Sequence, residues 1–251
     1  MSTPLSPEIA ASLFLTPMRD SKGESLTLSQ VPDRMISTSA GRIATWQRGN
    51  GPRVLLVHGW SSTHADLEHF VDPLLAAGRQ VISMDLPAHG ESDGEVASIP
   101  ELANGILHVA RGFGPTDAVI AHSIGCAAVG VALQRGMAVN RTVLIAPPAR
   151  YTDFACAFAR QAGVDTLAFL AALRRRGIEM DSIDYPAMAP SLNSSALVIH
   201  STDDQVVPFA DGQEIAAAWP GAQFMACEGL GHRRILADSH VVSAVLKFLT
   251  N

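Results

Sequence analysis

Short apolar runs alternate with helix-patterned stretches along most of the chain. Six runs are mostly apolar without a polar alternation, which is typical of strands buried on both faces of a sheet: residues 53–57, 80–84, 117–121, 142–146, 196–200 and 223–226. Helical composition fills the intervals over residues 65–77, 99–111, 124–133, 210–219 and 235–249. Strands that alternate with helices are joined by right-handed crossovers, so the pattern predicts an α/β fold with a mostly parallel sheet and helices on both faces.

Two parts of the chain depart from this alternation. Residues 1–25 form a polar N-terminal lead with one short predicted helix over residues 7–15, and β-type pieces follow up to residue 48. Residues 148–190 are helical and alanine-rich, with no predicted strand. The chain therefore divides into a core of residues 1–147 and 191–251 and a short helical cap, residues 148–190. We expect the cap to be inserted over the carboxyl ends of the strands, where such sheets bind their ligands.

The composition narrows the class of protein and its partners. With 251 residues, 47% hydrophobic and 17% charged, the chain is long enough for one large core and too apolar for a disordered protein. A net charge of -6 argues against nucleic acid or an anionic membrane as a partner. Three widely spaced cysteines, a poor signal peptide and the lack of an apolar run of about 18 residues favour a cytoplasmic, soluble protein. The oligomeric state is left open.

Residues 118–128 join a predicted strand to a predicted helix through a single serine, Ser123. Ala121 and Gly125 flank it two residues away on either side, and both are small, as a sharp strand-to-helix turn requires. Such a turn exposes the serine hydroxyl and leaves the first backbone N–H groups of the helix unpaired beside it. This arrangement is typical of a nucleophile, although a serine between small residues is by itself often only a turn or a helix cap.

Two other strand ends carry groups that would activate this serine. Asp203 and Asp204 follow the strand at 196–200, and His232 follows the strand at 223–226. A serine hydroxyl needs a base to accept its proton, and the base needs a carboxylate that holds its tautomer. All three groups follow strands of one parallel sheet, so we expect them at the same edge, with Asp203 as the alternative to Asp204.

The sequence resembles the α/β-hydrolase superfamily of esterases, lipases and related enzymes over residues 40–147 and 196–250. The resemblance rests on five motifs in the family's order: His58-Gly59-Trp60, residues 85–92 (DLPAHGES), residues 121–125 (AHSIG), residues 204–208 (DQVVP) and Gly231-His232. It implies that Ser123 is the nucleophile, Asp204 the acid and His232 the base. It also implies an oxyanion hole formed by the backbone N–H groups of Trp60 and Ile124. Ala121 and Ser201 depart from the family's pattern, which often has glycine at both positions.

The resemblance implies a serine hydrolase that cleaves carboxylic esters of small to medium acyl groups through an acyl-enzyme. Such chemistry needs neither a metal nor an organic cofactor. Thioester, lactone or C–C bond hydrolysis would use the same groups. Halide and epoxide chemistry is disfavoured, because the superfamily members that perform it have an aspartate nucleophile. A ligand-binding protein without turnover is the alternative from another class, and the complete set of three catalytic groups argues against it.

The other histidines near these motifs have structural interpretations. His58 and His89 are expected to brace their loops by hydrogen bonds, and His122 is expected to point away from the serine. Arg233 and Arg234 follow the predicted base directly, and an anionic group on a substrate could meet them.

The cap is predicted to select the acyl group through the apolar faces of its helices. Phe154 and Phe158 are four residues apart, and Leu167, Leu170 and Ala171 recur at three- and four-residue spacing. Each set therefore lies on one helix face. The simpler interpretation is that these faces only attach the cap to the core, and substitution of Phe158 or Leu170 is expected to distinguish the two.

Overall fold

The computed structural model describes residues 5–19, 28, 31–180 and 183–250. Within those residues the chain forms one sheet of eight strands, in the order β1-β2-β4-β3-β5-β6-β7-β8. The strands are β1 (Arg34–Thr38), β2 (Gly41–Arg48), β3 (Arg53–Val57), β4 (Gln80–Met84), β5 (Ala118–His122), β6 (Arg141–Ile145), β7 (Ser195–Ser201) and β8 (Gln223–Cys227). Every strand predicted from an apolar run is present, and each end lies within one residue of its predicted position.

The strand order reverses at β3, in the middle of the sheet. The chain passes from β3 to β4 on one side and then crosses to β5 on the other, and β3 to β8 all run parallel. β2 pairs antiparallel with β4, and β1 with β2. Pairing of Val57 with Ala121 and of His122 with Ile145 brings the carboxyl ends of the central strands level. Ligands of such sheets bind outside the carboxyl ends at the reversal, which is where the candidate site lies.

Helices cover both faces of the sheet, as the apolar runs predict. Along β3, Val54 and Leu56 belong to one buried apolar cluster, whereas Leu55 and Val57 belong to the cluster on the opposite face. No helix in the described ranges is both long enough and apolar enough to cross a bilayer. The α-helices are α1 (Pro7–Leu15), α2 (Val71–Ala76), α3 (Ile99–Phe113), α4 (Ile124–Gln134), α5 (Tyr151–Gln161), α6 (Thr166–Arg175), α7 (Tyr185–Met188), α8 (Phe209–Ala218), α9 (Gly231–Arg234) and α10 (Ser239–Thr250).

The prediction of one continuous α-helix over residues 65–77 is wrong. A 3₁₀ helix, His64–Phe70, comes first, and α2 then begins at Val71. Pro73 is the third residue of α2. Proline has no N–H to donate, so it is tolerated in the first turn of a helix and not in the interior, and the α-helix begins close to it.

The closing helix also begins later than the predicted residue 235. α10 starts at Ser239, and the carboxylate of Asp238 accepts hydrogen bonds from the backbone N–H groups of His240 and Val241, each at 3.0 Å. An aspartate that satisfies the first free N–H groups in this way marks a helix start. The short helix α9, which carries the predicted base, is thereby separated from α10.

The insertion between β6 and β7 contains α5, α6 and α7, in agreement with its predicted helical character. Its two ends are joined by backbone hydrogen bonds. The N–H of Tyr185 donates to the carbonyl of Ala149 at 2.8 Å, and the N–H of Tyr151 donates to that of Ile183 at 3.1 Å. The insertion therefore leaves and re-enters the core at nearly the same place.

The short helix predicted in the N-terminal lead is confirmed as α1. Pro7 occupies its first turn, and the hydroxyl of Ser6 accepts a hydrogen bond from the N–H of Ile9 at 3.3 Å. The remainder of the predicted lead, residues 1–4 and 20–25, lies outside the described residues, as does part of the β-type region up to residue 30.

Candidate active site

Ser123 forms the sharp turn between β5 and α4 that the sequence predicts. Its backbone has φ 53° and ψ -128°, a left-handed conformation that side-chain-bearing residues rarely adopt. Gly125 permits the turn, because a Cβ at that position would lie 2.3 Å from the carbonyl oxygen of His58. Ala121 is fully buried in β5, and the turn forms with it in the place of the family's glycine.

The three predicted catalytic side chains meet at the carboxyl edge of the sheet. His232 Nε2 lies 3.0 Å from Ser123 Oγ, and His232 Nδ1 lies 2.7 Å from Asp204 Oδ2. A carboxylate only accepts hydrogen bonds, so the imidazole donates from Nδ1 and leaves Nε2 free to accept the serine proton. Gly231, at φ 59°, precedes the histidine at the start of α9.

Asp204 is held as a carboxylate by four neighbouring groups. Its Oδ1 accepts hydrogen bonds from the backbone N–H groups of Val206 at 2.8 Å and Val207 at 3.0 Å. Burial works to raise the pKa of Asp204, but the contacts with His200, with His232 and with these two N–H groups outweigh it. They hold the pKa well below its usual range.

His200 is a member of the site that the sequence analysis missed. Its Nε2 lies 3.4 Å from Asp204 Oδ2 and 3.1 Å from the carbonyl oxygen of Val207, and its side chain is fully buried. Gly212, inside α8, leaves room for the ring, since a Cβ there would lie 2.5 Å from His200 Nδ1. A glycine within a helix costs about 1 kcal/mol relative to alanine. The signal in the sequence was a histidine that ends an otherwise apolar strand.

The alternative acid, Asp203, has a different set of contacts. Its Oδ1 accepts hydrogen bonds from Ser201 Oγ at 2.5 Å and from the backbone N–H of Gly231 at 3.0 Å. Ser201 Oγ in turn accepts from the N–H groups of Leu230 at 3.3 Å and Gly231 at 3.2 Å. The serine that departs from the family's pattern thus binds the loop that carries His232, and Asp203 assists it.

The predicted oxyanion donors, Trp60 and Ile124, both line the cavity in which Ser123 lies. Ile124 is the first residue of α4, so no intrahelical acceptor exists for its N–H. The loop that carries Trp60 approaches the serine closely, because a Cβ at Gly59 would lie 3.1 Å from Ser123 Cβ. The Trp60 ring packs against His89 in a T-shaped contact, with ring centroids 5.1 Å apart.

His58 and His89 brace their loops, as the sequence predicts. His58 Nε2 accepts a hydrogen bond from the N–H of Leu86 at 2.9 Å, and Nδ1 lies 2.7 Å from the carbonyl oxygen of Gly59. His89 Nδ1 lies 2.8 Å from the carbonyl oxygen of Pro87. Burial lowers the pKa of His58, and it lowers the pKa of His89 to about 3, so both rings are neutral.

His122 contacts the loop that carries the predicted base. Its Nε2 lies 2.9 Å from the backbone carbonyl oxygen of His232, to which it donates, and the two rings are 4.7 Å apart. Burial, together with the nearby charge of His232, lowers the pKa of His122 to about 3. His122 therefore holds the backbone of His232 as a neutral ring. The prediction that it points away from Ser123 did not include this contact, which forms because the loop of His232 folds back over the end of β5.

A cavity of about 210 Å³ opens above Ser123. One part of its lining is apolar and another is polar, which is the composition expected of a small-molecule site. The apolar part is contributed by Trp60, Ile124, Pro148, Phe154, Val206 and Val207, and the polar part includes Ser62, Asp66 and Arg233.

The two phenylalanines predicted to select the acyl group lie in different positions relative to the cavity. Phe154 lines the cavity, whereas Phe158 is not part of the lining and packs against Phe169, with ring centroids 5.6 Å apart. Leu170 packs against the main apolar cluster, and Leu167 is 77% exposed to solvent. Phe158, in α5, and Leu170, in α6, both pack against the core and are not in the lining of the cavity, which supports the simpler interpretation for these two residues.

The two arginines that follow His232 have different contacts. Arg233 lines the cavity, and its Nη1 lies 3.7 Å from a carboxylate oxygen of Asp66. That carboxylate also accepts a hydrogen bond from Ser62 Oγ at 2.5 Å. Arg234 instead donates to the carbonyl oxygen of Gly229 at 2.9 Å. Arg233 alone of the pair can meet a ligand in the cavity.

A second buried cluster, around Asp85, supports the loop beside the site. Its carboxylate accepts hydrogen bonds from His64, through the backbone N–H at 2.7 Å and Nδ1 at 2.9 Å, and from the N–H of Glu91 at 2.8 Å. His64 also stacks on Trp46, with ring centroids 3.5 Å apart. Across the described part of the chain, no three His, Cys, Asp or Glu side chains are grouped to hold a metal ion.

Comparison with known families identifies the family of this chain. The model of a family described as alpha/beta hydrolase matches residues 54–192, which is more than half of the 251 residues. The chain belongs to the alpha/beta hydrolase family. The matched part of this hydrolase-family chain includes Ser123 and both predicted oxyanion residues, and its eight-stranded, mostly parallel sheet is the fold of the family.

Solved structures of other family members share the fold at low sequence identity. A thermophilic esterase from Thermogutta terrifontis is 19% identical with a TM-score of 0.68, over 86% of this chain and 97% of that one. The enol-lactonase from Burkholderia xenovorans is 18% identical with a TM-score of 0.70, over 87% and 100% of the two chains. A bromoperoxidase from Bacillus anthracis is 16% identical with a TM-score of 0.70, over 87% and 99%.

Proposed function

We propose that this protein is a serine hydrolase that cleaves carboxylic esters of small to medium acyl groups through an acyl-enzyme. One observation carries the proposal: hydrogen bonds of 2.7 and 3.0 Å link Asp204 through His232 to Ser123 beneath the cavity. Membership of the alpha/beta hydrolase family supports a hydrolytic reaction.

The first half of the reaction acylates the serine. Ser123 Oγ attacks the ester carbonyl while His232 Nε2 accepts the hydroxyl proton, and the Asp204 carboxylate stabilises the resulting imidazolium. The negative charge that develops on the carbonyl oxygen is stabilised by the N–H groups of Trp60 and Ile124. His232 then donates its proton to the alcohol oxygen, the C–O bond breaks, and the acyl group stays on Ser123.

The second half releases the acid and restores the enzyme. Water enters in place of the alcohol and donates a proton to His232 Nε2 as its oxygen attacks the acyl carbonyl. The same N–H groups stabilise the second oxyanion. The bond to Ser123 Oγ breaks as His232 returns the proton to that oxygen. No metal or organic cofactor takes part in these steps.

The size and lining of the cavity support a small to medium acyl group. About 210 Å³ is available above Ser123, and Phe154 and Pro148 of the insertion line it together with residues of the core. We assign residues 148–190 as a cap over the core of residues 1–147 and 191–251, with Phe154 as its contribution to the acyl site.

The substrate of this reaction is a small-molecule ester, and neither nucleic acid nor a membrane is required. The net charge of -6 disfavours a polyanion as a partner. The three free cysteines fit a reducing compartment, which supports a cytoplasmic location.

Lactone hydrolysis is a second candidate, because a lactone is an internal ester that the same groups would open. The similarity of the fold to an enol-lactonase supports its inclusion. Thioesters are attacked in the same way and belong in the same comparison.

The test is a panel of purified-protein assays with p-nitrophenyl esters from acetate to palmitate, a thioester series and simple lactones. We expect a peak at about four to eight acyl carbons, since each buried methylene adds up to about 0.8 kcal/mol until the cavity is full. Ser123→Ala should lower kcat by about 10⁴- to 10⁶-fold. If that variant kept more than about a tenth of the wild-type kcat, the proposal would be rejected, because an enzyme that has lost its nucleophile cannot keep so much activity.

A further inference from the structure

The N-terminal strap, which we define as residues 5–19, lies outside the part of the chain that matches the family. At one end it is bound to the loops beside the active site. The Arg19 guanidinium donates to the carbonyl oxygens of Gly90, Ser92 and Gly94, and the N–H of Met18 donates to Ser61 Oγ at 3.0 Å. Ser61 directly follows the predicted oxyanion residue Trp60.

At its other end the strap is bound to the cap. Arg175 Nη2, at the end of α6, donates to a carboxylate oxygen of Glu8 at 2.5 Å. Arg176 donates to the carbonyl oxygen of Glu8 at 2.9 Å and to Ser12 Oγ at 2.7 Å. The strap therefore connects the cap, through Glu8 and Ser12 of α1, to the loops on the core side of the cavity.

Between these anchors, Phe14 inserts its ring into the cap. Its centroid lies 5.1 Å from that of Phe158, 5.5 Å from those of Tyr151 and Phe169, and 5.9 Å from that of Phe154. Phe14 is 4% exposed, so the ring is packed on all sides. Such a cluster has little free volume, and each ring limits the positions that its neighbours can adopt.

One ring of this cluster, Phe154, also lines the cavity above Ser123. Phe14 contacts the ring of Phe154 within the cluster and so supports it there. We propose that Phe14 determines acyl-chain specificity, because it backs Phe154 and keeps that ring in the wall of the acyl site. The inference rests on the proposed ester hydrolysis. It makes Phe14 a positioning residue that acts through Phe154 and does not itself touch the substrate.

Removal of the Phe14 ring should lengthen the acyl site. The space left behind has no other atoms to fill it, so Phe154 can move away from the cavity. Acyl groups too long for the wild-type pocket then gain buried methylenes, while short ones gain nothing. The expected change is therefore in the preference between substrates, and kcat for a short ester should stay near that of the wild type.

The experiment compares Phe14→Ala and Phe14→Leu with Leu13→Ala as the matched control. Leu13 is the adjacent residue of α1 and is 54% exposed. The measured quantity is the ratio of kcat/KM for p-nitrophenyl laurate, which is longer than the expected wild-type optimum, to that for p-nitrophenyl butyrate. We expect Phe14→Ala to raise the ratio at least about fourfold, the effect of one further buried methylene, through KM for laurate. Phe14→Leu should raise it less, and Leu13→Ala should leave it unchanged.

An unchanged ratio in both Phe14 variants would overturn the inference, and Phe14→Leu decides the matter if the alanine variant does not fold. Labelling rates with short- and long-chain alkyl fluorophosphonates give the same ratio without turnover. Wild-type protein that labels but hydrolyses no ester would reject the proposed function, while its labelling ratio would still decide the role of Phe14. Protein that neither labels nor hydrolyses would overturn both.

Discussion

Burial gives three histidines beside the site a definite protonation state. Burial lowers the pKa of His58, and it lowers the pKa values of His89 and His122 to about 3, so these rings are neutral braces. His232 is different, because it lies between an ionised carboxylate and a hydroxyl in the cavity wall. Proton transfer near neutral pH is therefore assigned to this one ring, and Asp204 stays charged throughout.

Asp204→Asn tests the carboxylate. We expect it to lower kcat by about 10⁴-fold, because an amide can hold His232 in the tautomer that cannot accept the serine proton. Asp203→Asn should lower kcat by no more than about tenfold, the equivalent of one lost hydrogen bond in the loop of His232. Steady-state kinetics of the two variants, matched for folding by circular dichroism, provide the comparison. A larger loss for Asp203→Asn would make Asp203 the acid.

At this scale the sequence predicted which three side chains meet, and it missed their neighbours. Ser123, Asp204 and His232 each follow a strand of a parallel sheet, so strand order alone brings them to one edge. The contacts of His122 and His200 depend on how loops fold back over the strand ends, which no local pattern encodes.

Among the elements, the junction of β5 with α4 leaves little room for a larger side chain. The turn at Ser123 forms because α4 approaches the end of β3 closely at Gly125. The strands were predictable to within a residue because a buried strand is a continuous apolar run. The starts of the helices were less predictable than the strands. Pro73 and Asp238 determine the first turns of α2 and α10, which therefore do not begin where the apolar pattern begins.

Gly125→Ala should disrupt this junction. Its Cβ would lie 2.3 Å from the carbonyl oxygen of His58, a backbone atom that cannot rotate away. We expect a loss of about 3 kcal/mol or more in the free energy of unfolding, and loss of labelling at Ser123 by an active-site probe.

Gly112→Ala in α3 is the matched control for Gly125→Ala. The Cβ added there would meet the flexible end of Ile36 at 3.2 Å. Both substitutions gain about 1 kcal/mol of helix propensity, so the control should change stability by less than about 1 kcal/mol. Equal stability of the two variants in urea unfolding would show that the approach of α4 to β3 is not tightly packed.

In the whole molecule, the two ends of the sheet contribute differently, one to the proposed reaction and the other to stability. The carboxyl ends of the strands carry the proposed chemistry, and the opposite end carries a polar network centred on Arg79. Arg79 pairs with Asp117, which precedes β5, and donates to the carbonyl oxygen of Leu249 in α10. Asn140 Nδ2 donates to the same aspartate at 2.8 Å. This network joins the segments that precede β4, β5 and β6 to α10, far from Ser123 in the fold.

Arg79→Met should therefore reduce stability without changing kcat/KM of the folded protein. Loss of its hydrogen bonds to Asp117 and Leu249 should cost about 2–3 kcal/mol in urea unfolding. Arg48→Met is the control, because its pair with Asp33 is more exposed and should contribute less than about 1 kcal/mol. Similar losses for the two variants, or a change in kcat/KM for Arg79→Met, would contradict this assignment.

The contribution of Arg79 should also depend on pH. Burial works to raise the pKa of Asp117, but Asn140 and Arg79 outweigh it and hold the pKa below its usual range. A carboxyl whose pKa is lowered by folding stabilises the native state above its unfolded value of about 3.9, and this stabilisation is lost as the pH falls through the lower folded value. The difference between wild type and Arg79→Met should accordingly shrink in strong acid.

The arrangement of the insertion, residues 148–190, was the part of the molecule least open to prediction. Its helical character was predicted correctly, and so was the shared face of Phe154 and Phe158, which both contact Phe14. Which ring faces the cavity depends on α1, more than 130 residues earlier in the chain. A periodic pattern identifies an apolar face and does not identify its partner.

Fluorophosphonate labelling followed by peptide mapping tests the assignment of Ser123 as an activated nucleophile most directly. We predict a single adduct on the peptide that contains Ser123, and none in Ser123→Ala. An adduct at another residue, or labelling of Ser123→Ala, would contradict the assignment.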